Sequence, residues 1–137
     1  MDANIILELF LGREKAEECE ELLNGVSKGE VEAAMTHFAV HAIESIVNDE
    51  ELILRFLRNL EGSLGLYVYD TDISDEMAAA MLMKDLGRDF DDALQYYVAK
   101  KLGGNAIISF DEHSDGLDVP RLEPKDAIAS PGRSGSP

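Results

Sequence analysis

Residues 106–111, Ala-Ile-Ile-Ser-Phe-Asp, form a short, almost wholly apolar run that ends on a carboxylate. Such a run is the pattern of a strand buried on both faces of a parallel sheet, and Asp111 then lies at its carboxyl end, where open α/β sheets collect ligands. Gly103-Gly104 separates this strand from a helical stretch over 89–102, with Asp89 and Asp91 near the positive end of the helix. Working backwards, residues 73–86 read as an alanine- and methionine-rich helix closed by Gly87, and residues 65–69 as a β-rich run closed by Asp70. Met77, Met81 and Met83 are read as core filler.

The same alternation holds nearer the start. Residues 50–60 place Leu52, Ile53, Phe56, Leu57 and Leu60 on one face of an amphipathic helix. Thr36 suits the N-cap of a helix reaching about Asn48, and residues 30–35 read as a short strand. Residues 14–24 make a surface helix with Gly25 at its C-cap and Cys19 as a small core residue. Residues 5–11 make a short buried helix entered from Asp2-Ala3-Asn4. Strands alternating with helices predict one α/β domain over 1–129, with a mostly parallel central sheet flanked by helices. The Gly-, Ser- and Pro-rich residues 130–137 are expected to be a disordered tail.

Composition narrows the function. The 137 residues are 45% hydrophobic, enough for one core. No apolar stretch approaches the roughly 20 residues of a membrane span. One cysteine and no basic, secretory-type N-terminus point to a cytoplasmic protein. Twenty-eight acidic against twelve basic residues give a formal charge of -16, which argues against a plain nucleic-acid-binding module. A nuclease is compatible with that charge, because a divalent-cation site must gather carboxylates.

Three acids stand out by placement. Asp111 ends a strand, and Ser109 beside it can orient a carboxylate; the alternative is a simple turn with Glu112 and His113. Asp92, in the first helical turn with Gln95 and Tyr96 on its face, can project into a cleft. Glu44 lies inside an apolar helix, where burial requires a partner. His37, His41 and Glu44 also share a helix face, a weak zinc-like spacing. No nucleophile elbow, phosphate loop or Cys-His pair stands out.

In order and spacing these pieces resemble the PIN-domain family. Asp2-Ala3-Asn4-Ile5-Ile6-Leu7 is similar to its opening Asp-Thr-Asn, Glu44 to its helical glutamate, and Asp92-Ala93-Leu94 to its Asp-Ala-Leu. Residues 107–111 resemble its strand ending in Thr/Ser-x-Asp, and residues 117–124 the end of VapC-type toxins. The resemblance implies an endoribonuclease in which Asp2, Glu44, Asp92 and Asp111 hold Mg²⁺ or Mn²⁺. Asn4 and Ser109 are then orienting groups, with Asp89 and Asp115 as outer acids. It also implies a homodimer, and an antitoxin partner if the chain is a toxin. Ala3 replaces a hydroxyl residue, Ser114 replaces an aromatic, and little of the strand that should carry Asp2 precedes it, so either a start upstream or a shortened central strand is expected. The competing readings are a catalytically weak PIN-like interaction module and a zinc protein built on His37, His41 and Glu44.

Overall fold

The computed structural model describes residues 1–112 and 115–129. His113, Ser114 and the expected tail over 130–137 lie outside the described residues.

Helix α1 (Ala3–Phe10) starts at Asp2, an extended N-cap whose carboxylate accepts from the Asn4 N–H. Its one internal charge is Glu8, so it can be buried on two sides. Ile6 and Leu7 pack with Met35, Val40, Ile43 and Phe56, whereas Ile5 packs with Cys19, Leu22, Val26 and Ile108. Helix α2 (Ala16–Ser27) carries the second set. Gly25, expected at its C-cap, lies inside it instead. The Gly25 carbonyl accepts from the N–H groups of Glu30 and Val31, and a Cβ at position 25 would stand 3.4 Å from Val31 Cγ2. The glycine thus lets the returning chain close against the helix, which ends two residues later.

Strand β1 (Ala33–Thr36) leads directly into α3 (His37–Val47), because the Thr36 hydroxyl accepts from the Ala39 N–H and caps the helix. Asn48, in the left-handed conformation at φ 45°, ends α3, and Asp49 caps α4 (Glu50–Gly62). Strand β2 (Leu66–Tyr69) then pairs in parallel with β1, Ala33 opposite Leu66 and Thr36 opposite Tyr69. Gly65 cannot be replaced easily: a Cβ there would run into the Val31 carbonyl and stand 2.8 Å from the Val26 carbonyl.

Helix α5 (Ile73–Leu86) opens with a capping box between Asp72 and Asp75 and closes on Gly87 at φ 64°. It packs against α6 (Phe90–Lys101), which is capped by Asp89. The expectation that Met77 and Met81 fill the core is overturned, since they are 62% and 76% exposed. The side of α5 that turns inward carries Asp75 and Ala79, and the two methionines lie on the other side. The apolar stripe of α4 is turned inward: Phe56 is buried, and Leu57 and Leu60 pack against the core.

Strand β3 (Ile107–Ile108) is shorter than the run over 106–110, and it pairs in parallel with β4 (Arg121–Leu122), followed by α7 (Pro124–Ala129). Neither β4 nor α7 was legible as an element. The two parallel pairs are joined by the first two residues: the Met1 amino group donates to Ala34 O at 2.7 Å and the Asp2 N–H to Ile108 O at 2.9 Å. Met1 and Asp2 thus form a two-residue bridge between the pairs. Beside it, β1, β3 and α6 border a half-open pocket of about 850 Å³ lined by Ala34, Val98, Ala99 and Ile107. The fold is α/β, with helices packed around short parallel strands.

Candidate metal centre at the carboxyl edge

Asp2 is the anchor of the site, 6% exposed at the point where the bridge passes into α1. A buried carboxylate needs donors. Ser109, itself 2% exposed just beyond β3, donates its hydroxyl to Asp2 Oδ2 at 3.0 Å and accepts the Asp111 N–H at 2.9 Å. One hydroxyl thus fixes the first acid and the loop that carries another. Gln95 of α6 donates weakly to Asp2 Oδ1 at 3.4 Å and to Asp91 Oδ2 at 3.5 Å. Asn4 contributes its backbone N–H at 3.5 Å from Asp2 Oδ1, while its residue is exposed.

The first turn of α6 brings three more acids to this edge. Asp89 caps the helix by accepting the Asp92 N–H at 2.9 Å. Asp91 is the residue the sequence reading passed over as an ordinary first-turn acid. Its Oδ1 is buried without a hydrogen-bond partner, and burial, then the charge of Asp2, hold its carboxyl above the ordinary carboxylate range. Asp92 is pushed up to about 6, first by burial and then by the charges of Asp89, Asp111 and Asp91. Asp91 thus lies near enough to Asp2 to feel its charge, and Asp92 near enough to Asp111. Gln95 and Tyr96 were expected to share the Asp92 face, but Gln95 turns to Asp2 and Asp91, and the Tyr96 hydroxyl donates to Asp118 at 2.7 Å.

The other expected residues lie in different company. Glu44 Oε1 is 2.9 Å from His41 Nδ1 on α3, so its partner in the structure is a neighbouring imidazole, and none of the contacts of Asp2 or Asp91 just described runs to it. Asp115 pairs with Arg121 Nε at 2.9 Å. His37 and His41 stack at 4.5 Å between ring centroids, and His37 Nδ1 is 3.6 Å from Asp70. Rings stacked face to face do not aim their nitrogens at one point, so the zinc arrangement is not assembled.

A family model for the PIN domain matches residues 1–119, which take in Asp2, Glu44, all three acids of α6 and Asp111. The chain belongs to the PIN-domain family. Comparison with curated proteins and with solved structures gives no match. PIN domains are typically nucleases and generally use divalent metal ions. The residues at this edge fit such an ion in kind: the donors are carboxylate oxygens, which suit Mg²⁺ or Mn²⁺, and the orphaned Asp91 oxygen is a buried acceptor in need of a cation. Among the described residues no three acids, histidines or cysteines are drawn into a common ligand set. What distinguishes Asp91 from Asp89 is burial, which only the packing of α6 reveals.

Proposed function

We propose that this PIN-domain chain is a metal-dependent endoribonuclease that hydrolyses RNA phosphodiester bonds with an activated water. The observation that carries the reading is the buried, unpartnered Asp91 Oδ1 opposite the buried carboxylate of Asp2. Asp2, Asp92, Asp111 and Glu44 are the proposed metal-holding acids, and Asp91 is added to them. For Glu44 to join, its carboxylate must leave His41. A divalent cation held there supplies water activation and charge compensation at the phosphodiester. The chain's own groups do the positioning: Ser109 orients Asp2, Gln95 spans Asp2 and Asp91, and a cation would draw the raised Asp92 carboxyl back toward the ordinary carboxylate range. Asp89 and Asp115 are outer acids, and Asn4 supports Asp2 through its backbone.

The finer reading is a cytoplasmic, VapC-type toxin that acts as a homodimer and is held by an antitoxin. Among the described residues no helix is long and apolar enough to cross a membrane. The competing reading, a catalytically weak interaction module, is favoured by Ala3 and by the open spacing of the acids. Incubation of the purified chain with single-stranded RNA decides between them. The nuclease reading predicts cleavage that requires Mn²⁺ or Mg²⁺ and falls at least about 100-fold in Asp2→Asn. Absence of cleavage under both metals, or equal cleavage by the variant, contradicts it.

A further inference from the structure

We propose that Phe38 and Phe90 form a stacking platform for an unpaired RNA base beside the aspartate cluster, so that the substrate is read through base faces more than through its phosphates. The identity of the ligand rests on the ribonuclease reading above. The platform rests on the geometry.

Two edge-to-face phenylalanine pairs occur among the described residues, both with ring centroids 5.7 Å apart. Phe10 with Phe56 is a core pair, and Phe56 is 2% exposed. Phe38 with Phe90 has the same separation, yet Phe38 remains 43% exposed. Phe90 begins α6 and immediately precedes Asp91 and Asp92, so the pair stands at the helix end that carries these acids.

Charge explains why such a surface is needed. The chain has a net charge of -16, and among the described residues Arg88 and Arg121, which reach this edge, are already engaged. Arg121 binds Asp115 and Glu123, and Arg88 donates to the carbonyls of Leu86, Gly87 and Asp115. Beside a metal's hold on the phosphodiester, base–aromatic stacking adds affinity that the chain's negative charge does not oppose, and stacking requires a base that is not already paired.

The test is binding of a short single-stranded oligoribonucleotide carrying one 2-aminopurine, in Ca²⁺ so that binding is read apart from turnover. The parent chain is expected to quench the 2-aminopurine. Phe38→Leu, which keeps an apolar side chain against Phe90, is expected to weaken binding about 5- to 100-fold and lose the quench. Phe38→Tyr restores both, and thermal melting shows that each variant folds. A duplex of the same sequence is expected to show no difference between parent and variants. Equal affinity and quench in Phe38→Leu, or cleavage in Mn²⁺ by a parent chain that never quenches, overturns the platform. Quenching that depends on Phe38 in a chain that does not cleave RNA upholds the platform and overturns the ribonuclease reading instead.

Discussion

Ser109 shows how much of this site depends on one small side chain. Its hydroxyl is shared between Asp2 Oδ2 and the Asp111 N–H, so the orientation of one acid and the path of the loop bearing another are set together. Removing such an orienting group commonly lowers metal affinity 10- to 100-fold. Ser109→Ala is expected to do this to Mn²⁺ affinity while the chain still folds, which calorimetric titration and thermal melting check together. The sequence made this role readable because Ser109 lies two residues before Asp111 at a strand end. It did not separate Asp91 from Asp89, because a first helical turn favours acids wherever they point, and only the docking of α6 beside Asp2 decides which one is buried. Glu44 was read as lying in an apolar helix where burial requires a partner, and His41, one turn before it on the same helix, is the partner the structure shows.

At the scale of elements, the helices bounded by local chemistry were legible. Residues 73–86 form a helix as expected because Asp72 and Asp75 cap its start and Gly87 its end. Elements defined by distant partners were not: β4 has only two residues and exists through its pairing with β3, and α2 runs past Gly25 because that glycine serves the return of Val31. The inner face of α5 likewise depends on a long-range network. Asp75, nearly buried, accepts from Lys101 Nζ at 2.8 Å, from the Tyr97 hydroxyl at 3.0 Å and from the Tyr69 hydroxyl at 3.2 Å. Lys101, followed by the Asp72 N–H, holds the Asp75 carboxyl well below the usual carboxylate range. A depressed carboxyl binds fewer protons folded than unfolded, so its contribution is complete above the unfolded value and is lost as pH falls through the folded one. Asp75→Asn is accordingly expected to lower the thermal midpoint by about 5 °C or more at neutral pH. The gap between variant and parent should narrow as pH falls below about 4. A gap independent of pH contradicts the ion-pair account.

At the scale of the whole molecule, the fold is a pair of short parallel ladders held together by Met1 and Asp2, with helices supplying most of the core. The α/β class was readable from alternation alone. The pairing surface was not, because periodicity shows that α4 is amphipathic but not which neighbour covers it. With that stripe turned inward, the proposed homodimer has the exposed, uncharged Ile73, Met77 and Met81 of α5 as its apolar surface. Light scattering at tens of micromolar, a rough working range for a modest interface, is expected to report a dimer for the parent and a monomer for Met81→Glu. A parent monomer contradicts it.

The central claim is that the aspartates of the carboxyl edge form one cation site, and linkage tests it most directly. Close carboxylates destabilise the chain without metal and stabilise it with metal, because a ligand that binds the folded state raises its stability. The decisive measurement is the thermal midpoint of parent and Asp92→Asn in EDTA and across a Mn²⁺ titration. The parent is expected to rise with Mn²⁺, and Asp92→Asn to start higher in EDTA and gain much less. Equal gains in both proteins, or no gain in the parent at millimolar Mn²⁺, roughly the weak limit for such a site, would contradict a metal centre at this edge.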